Sequence, residues 1–196
     1  MGREYASNPA ELPRGTLAAL FLDAVERFDG APAFRYFVGD TDELRDMSYR
    51  EALGYVKAAV GGLRELGLER GDRVALLSEN RPAWALTDYG CICAGVVDVP
   101  IYDTLTPKQV AYILEDSGAR VVFVSDRDQM EKALEAVEMC PQEVRVVAFA
   151  DVGAVPDGVL RWNEDFLAAG RDRFADVTDD EFDAMARKAR PEEVPT

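Results

Sequence analysis

The sequence predicts an α/β fold, a mainly parallel sheet with helices on both faces, and three observations predict it. Residues 73–78, 96–101 and 120–124 are short apolar runs without the alternation of a half-solvated strand, as expected where both faces of a sheet are covered. Helix-patterned segments separate them. Residues 82–94 follow Asn80, read as an N-cap, and stop at Gly95; Thr106, Pro107 and Gln109 open the next helix as N-cap, first-turn proline and capping-box partner, and Gly118 ends it. Crossovers of this length, finally, are what parallel neighbours need, whereas antiparallel strands can be joined by a two-residue turn.

The flanking elements follow in chain order. Residues 1–15 are polar, carry Pro9 and Pro13, and read as a surface arm. Thr16 caps a helix over 17–28, where Leu17, Leu20, Phe21, Ala24, Val25 and Phe28 make one apolar stripe. Residues 33–38 alternate weakly, 39–43 form a turn and 44–48 pair back as a hairpin. Ser48 and Glu51 are a capping box, after which Leu53, Val56, Val60 and Leu63 keep helical spacing as far as Gly67. Past the central stretch, Ser125 or Asp126 caps a helix over 127–139, 144–149 is a fourth strand, 151–158 a loop and 163–169 a short helix. Thr178 and Glu181 supply another capping box, opening a helix to about Ala189. The expected core includes Leu53, Val60, Leu63, Leu76, Trp84, Val99, Ile113 and Phe123.

Composition narrows the function. A net charge of −15, from 37 acidic against 22 basic residues, opposes nucleic acid and anionic membrane surfaces, so small molecules or proteins are the expected partners. Arg outnumbers Lys 18 to 4 and Asp alone counts 20, a bias that fits either a salty cytoplasm or a GC-rich genome. No window approaches the ~20 apolar residues of a transmembrane helix, and residues 1–16 have no signal pattern, so the expected location is cytoplasmic. Cys91 and Cys93, two apart on a predicted helix, point to nearly opposite sides. With Cys140 they read as buried small hydrophobes of a reducing compartment.

Several chemistries are absent. There is no histidine, which removes Ser-His-Asp and Cys-His nucleophiles and His-ligated metals. No G-x-G-x-x-G or G-x-x-x-x-G-K-[ST] occurs; the Gly90 to Gly95 spacing has Val96 where the second motif needs Lys. Asp40, Asp42 and Glu51 match three positions of a calcium loop, but Leu44 and Arg45 stand where a ligand and a glycine are required. The pairs Asp126 with Asp128 and Asp179 with Asp180 read as acids at helix starts, complementing the helix dipole. Metal and catalytic residues are therefore assigned to none.

Ligands of open parallel sheets sit beyond the carboxyl ends of the strands. Residues 79–81, 102–104 and 125–126 emerge there, and of these Asn80 and Tyr102 are the candidate substrate-binding residues. Trp84 and Tyr89, on the helix that follows, read first as core aromatics.

An ordered series of segments runs through Ser48-Tyr49-Arg50-Glu51, then residues 66–77, then Ser78-Glu79-Asn80-Arg81-Pro82-Ala83-Trp84. It continues with Gly95-Val96-Val97-Asp98-Val99-Pro100-Ile101-Tyr102-Asp103-Thr104-Leu105 and closes with residues 111–119. This series resembles the N-terminal portion of adenylate-forming (AMP-binding) acyl-CoA synthetases. The resemblance is dense over 17–124 and thinner to Ala150, and Pro100 to Leu105 favours the long-chain fatty-acid branch. It implies an enzyme that turns a fatty acid and Mg-ATP into an acyl-adenylate and pyrophosphate, then passes the acyl group to coenzyme A. The resemblance puts the family's phosphate-binding loop just after the segment corresponding to 191–196, and no family catalytic residue maps onto a numbered position here.

Three expectations follow from that implication. The chain is an N-terminal fragment, inactive alone, and ATP, Mg and coenzyme A do not bind it tightly. A non-catalytic binding or regulatory module with a synthetase-like fold is the alternative, and a homodimer is implied by some relatives. Residues 16–176 form the α/β subdomain, while 177–196 are an incomplete tail whose Phe182 and Met185 are exposed, because the family's next strands would cover them.

Overall fold

A computed structural model of the chain describes residues 15–39, 41–149 and 152–188. Among the described residues, seven strands and seven α-helices follow one another: α1 (Leu17–Phe28), β1 (Pro32–Phe37), β2 (Leu44–Ser48), α2 (Tyr49–Glu65), β3 (Arg73–Leu77), α3 (Pro82–Ala94), β4 (Val97–Ile101), α4 (Pro107–Ser117), β5 (Val121–Val124), α5 (Arg127–Met139), β6 (Arg145–Ala148), β7 (Leu160–Arg161), α6 (Ala168–Arg173) and α7 (Asp179–Ala186). A π-helical segment, Trp162–Leu167, joins β7 to α6.

The main sheet has the order β4-β3-β5-β6-β7, and all its neighbours are parallel. Val74 pairs with Asp98 on one side and Val121 on the other. Strand pleating divides the core in two. Val74, Leu76, Val121, Phe123 and Val147 face one way, against α1, α2, α3, the π-helical segment and α7. Ala75, Leu77, Val122, Val124 and Val146 face the other way, against α4 and α5. Residues of β3 and β5 are buried on both faces, which is why they carry unbroken apolar runs. The hairpin β1–β2 is a separate antiparallel sheet.

Helix ends follow local sequence chemistry. Thr16 accepts from Ala19 N, and Glu51 and Ser48 complete their box, with Ser48 N donating to Glu51 Oε2 at 2.7 Å. Asp126, rather than Ser125, caps α5 by accepting from Gln129 N at 2.9 Å. Gly95, with φ 70°, lets α3 turn sharply into the edge strand β4.

Some expectations are corrected. Asn80 is not an N-cap; Arg81 holds that position, with no side-chain cap bond. Trp84, Val99 and Ile113 are half-buried rather than buried. Val99 lies on β4, the edge strand among the described residues, and Ile113 packs at the margin of the core beside α4 and α5. The short helix expected at 163–169 starts one residue earlier and is wound as a π-helix before α6 continues it. The strand β7 was not foreseen, two residues being too short for a periodicity signal.

The 178–188 part of the tail also packs differently from expectation. Phe182 is 0% exposed and Met185 half-buried, because α7 folds back onto the apolar side shared by α1, α2 and α3. Lys57 of α2 holds its start, donating to Asp179 Oδ1 at 2.6 Å and to the Val177 carbonyl at 3.1 Å. Residues 1–14 of the expected surface arm and 189–196 of the tail lie outside the described residues.

Candidate functional site

The chain leaves β3 for β4 on one side and then crosses to β5 on the other, so the order reverses between β3 and β5. At such a point two strand-end loops diverge and leave a crevice. Here Arg81 spans it: its Nη1 donates to the Ser125 carbonyl, and the Glu79 carboxylate stands 3.7 Å from the same guanidinium nitrogen. A phosphate at this point would meet Glu79 and Asp126, both acidic, and the Arg81 guanidinium is engaged by the Ser125 carbonyl. Among the described residues, no group of three His, Cys, Asp or Glu side chains could hold a metal ion. Among the described residues, these strand-end groups offer a phosphate no unengaged cation.

Beside this point lies a cleft of about 930 Å³. One wall is the start of α3 with Ala83, Trp84 and Leu86; the other is the hairpin, with Phe34, Tyr36 and Met47. Tyr55 of α2, Phe149 after β6 and Trp162 after β7 also line it. The aromatic groups brace one another: Tyr55 and Trp162 stack at 5.9 Å with rings 2° from parallel, and Phe149 meets Trp162 edge-on at 5.8 Å. Trp162 is locked by its indole N–H, which donates to Thr87 Oγ1 at 3.1 Å. The π-helical winding begins at Trp162, so this residue and Asn163 border the cleft where a local departure from α geometry starts, a placement common at functional sites.

The two sequence-derived candidates are separated. Asn80 lines the cleft, next to Arg81. Tyr102 does not line it; it is 79% exposed on the loop after β4, which Lys132 of α5 steadies through the Asp103 carbonyl. Trp84 packs against the core from its margin and also borders the cleft, while Tyr89 stacks on Phe21 at 4.5 Å. The lining by Tyr55, Phe149 and Trp162 was not anticipated, since these residues are far apart in sequence and converge only when β6, β7 and α2 are assembled.

A second feature also escaped the sequence reading. Asp88 of α3 and Asp98 of β4, which is 5% exposed, share a side-chain hydrogen bond. Burial, then the neighbouring Asp98 charge, pushes the Asp88 carboxyl up to about 7, and burial also raises Asp98. Two carboxyls in contact must share a proton for one to donate to the other. The available signal was an acid inside each of two apolar runs.

A wholly parallel five-strand sheet with helices on both faces, and a lined cleft beside its carboxyl ends, defines an α/β domain. Residues 21–191 match the family described as AMP-binding enzyme, and the chain belongs to that family. The long-chain-fatty-acid–CoA ligase ACSBG2 of Xenopus laevis is 27% identical over 186 residues, which is 94% of this chain and 24% of that protein. FadD15 of Mycobacterium bovis, also a long-chain-fatty-acid–CoA ligase, is 34% identical over 119 residues, 61% of this chain and 20% of its own length. In fold, the chain is similar to the anthranilate CoA ligase AuaEII, with a TM-score of 0.69 at 22% identity, covering 83% of this chain and 29% of that one. Acetoacetyl-CoA synthetase from Streptomyces lividans gives a TM-score of 0.69 at 23% identity, covering 77% and 25%. The chain thus spans about a fifth to a quarter of the curated relatives it matches. Among the described residues, no helix is long and apolar enough to cross a membrane.

Proposed function

We propose that this chain is the N-terminal part of a long-chain fatty-acid–CoA ligase, supplying the parallel-sheet scaffold and the cleft at its strand ends. The whole enzyme would join a fatty acid to the AMP portion of ATP, releasing pyrophosphate, and then transfer the acyl group to coenzyme A. The observation that carries this reading is the family match over 21–191 together with long-chain ligases as relatives along up to 94% of the chain. Electrostatic donors of a phosphate cradle are worth ~10²-fold or more in rate each, and on this reading the 196-residue chain is expected to be inactive alone. A cytoplasmic location and a homodimeric state are carried over as parts of the same reading; cell fractionation and light scattering test them.

The test is pyrophosphate release and hydroxamate trapping of acyl-adenylate, with palmitate and Mg-ATP. The expected result is no turnover above a denatured control for the 196-residue chain, and turnover when it is extended by the following reading frame. Turnover by the chain alone would overturn its role as a non-catalytic part. A second reading, a binding or regulatory module with a synthetase-like fold, would use the cleft lined by Trp84, Tyr55, Phe149 and Trp162. Failure of the extended chain to trap any acyl-adenylate would select it.

A further inference from the structure

We propose that a second pocket, formed by α2, α6 and the start of α7, binds a phosphate monoester of a small organic group. The pocket is about 290 Å³, near the lower end of the ~300–1,000 Å³ typical of small-molecule sites. Arg50, Leu53, Gly54 and Lys57 line it from α2, at the spacing that sets residues on one side of a helix. Arg171 of α6, Phe174 just after it and Asp179 at the start of α7 complete it. It shares no lining residue with the aromatic cleft.

Gly54 points to a ligand. A glycine inside a helix is destabilising relative to alanine, because it loses more conformational freedom on folding, and so calls for a reason. Among the described residues five glycines lie inside α-helices, and for four of them the reason is close contact. A Cβ on Gly61, Gly62, Gly90 or Gly170 would stand 2.3, 2.6, 2.7 or 1.9 Å from a neighbouring atom. A Cβ on Gly54 would meet nothing within 4 Å. The protein's own packing does not require this glycine; its effect is to leave open backbone in the pocket, where a ligand can come close to the main chain.

Charge selects the ligand. In a chain of net charge −15, three cations and one acid line this pocket. Arg50 gives Nε to Asp29 and Nη1 to Asp179, and Lys57 gives Nζ to Asp179 at 2.6 Å and to the Val177 carbonyl at 3.1 Å. A guanidinium has five N–H donors and an ammonium three, so both keep spare donors with Asp179 left in place. Arg171 lies over the Tyr55 ring at 5.9 Å, a contact that leaves its N–H fork unused, and among the described residues no carboxylate pairs with it. A phosphate monoester brings three acceptor oxygens in three directions and close to two negative charges, which matches cations spread over two helices. A carboxylate has two oxygens in one plane. Leu53 and Phe174 give the organic group an apolar seat.

Phenyl phosphate is the probe, titrated calorimetrically into the 196-residue chain at about pH 8, above the second phosphate pKa of ~6, with chloride fixing the ionic strength. Saturable binding is expected, with amide shifts in the isotope-labelled chain centred on Gly54 and Phe174. Orthophosphate, which lacks the ring, and benzoate, which lacks the third oxygen and second charge, should each bind about tenfold more weakly, ~1.4 kcal/mol. Arg171→Gln removes the unpaired fork and should weaken phenyl phosphate to the same extent with an unchanged melting temperature. Gly54→Leu fills the pocket with a good helix former, so it should melt no lower while binding falls at least as far. Should either variant misfold, the comparison of the three ligands on the unaltered chain still decides.

Absent or non-saturable binding, amide shifts centred elsewhere, orthophosphate or benzoate matching phenyl phosphate, or full affinity in a folded Gly54→Leu chain would each overturn the site. Acyl-adenylate formation by the extended chain tests the ligase reading separately, so either can fail while the other stands.

Discussion

Trp162 Nε1 and Thr87 Oγ1 lie 3.1 Å apart, a hydrogen bond between the first residue of the π-helical segment and the middle of α3, with Thr87 0% and Trp162 4% exposed. It ties the element after β7 to the helix after β3 across the aromatic cleft. Thr87→Val keeps the shape and removes the acceptor, leaving a buried N–H unpaired. The expected cost is ~1–3 kcal/mol, read as a lower urea midpoint with unchanged slope. Unaltered stability would mean that the bond holds nothing together.

Backbone closeness between α2 and α6 gives a second expectation. A Cβ on Gly170 would stand 1.9 Å from the Ala58 carbonyl oxygen and 2.5 Å from Gly62 N, atoms that cannot move aside. Gly170→Ala should lower stability by more than the ~1–3 kcal/mol typical of overpacked cores, or prevent folding. Gly54, on an open face of α2, has nothing within 4 Å, so Gly54→Ala should raise stability by ~0.5–1 kcal/mol. Thermal melts of the two variants should move in opposite directions.

The Asp88–Asp98 pair predicts a pH dependence. Asp88 is raised from 3.8 to about 7 in the folded chain, and Asp98 is raised with it. The folded state therefore keeps a proton that the unfolded state has released. The stabilising contribution is complete below 3.8 and is lost as pH rises through about 7. Asp88→Asn keeps a donor for Asp98 and cannot ionise. Relative to the unaltered chain, its urea midpoint should improve between pH 4 and pH 8; parallel pH profiles would show that no proton is shared.

Burial of Phe182 sets the expectation for α7. Phe182→Ala should cost ~3–5 kcal/mol, and limited proteolysis of the unaltered chain should spare residues 179–186. Lys57→Met, which removes the donor to Asp179 and Val177, should expose that segment to cleavage while the sheet stays protected. Early cuts within 179–186 of the unaltered chain would contradict the packing described.

The sequence alone determined the parallel sheet and its helices, because each signal is local. Continuous apolar runs mark β3 and β5, Ser48 with Glu51 and Thr178 with Glu181 mark helix starts, and Gly95 and Gly118 mark helix ends within a few residues of the bonds they make. It also carried the family, through an ordered series of segments across the first two thirds of the chain. Asn80 was legible as a strand-end residue since loop position follows from strand position.

Tertiary structure decided the rest. Trp84 and Val99 were read as core because an apolar residue at the right spacing does not reveal whether a neighbour covers it, and each lies where cover is incomplete. Phe182 went the other way: α7 closes over it through Lys57, Asp179 and the apolar side of α3, contacts more than a hundred residues apart in sequence from α2. The cleft depends on Tyr55, Phe149 and Trp162 meeting from three elements, and the shared proton on Asp88 and Asp98 depends on burial. Periodicity reports which face of an element is apolar; only assembly determines what that face meets.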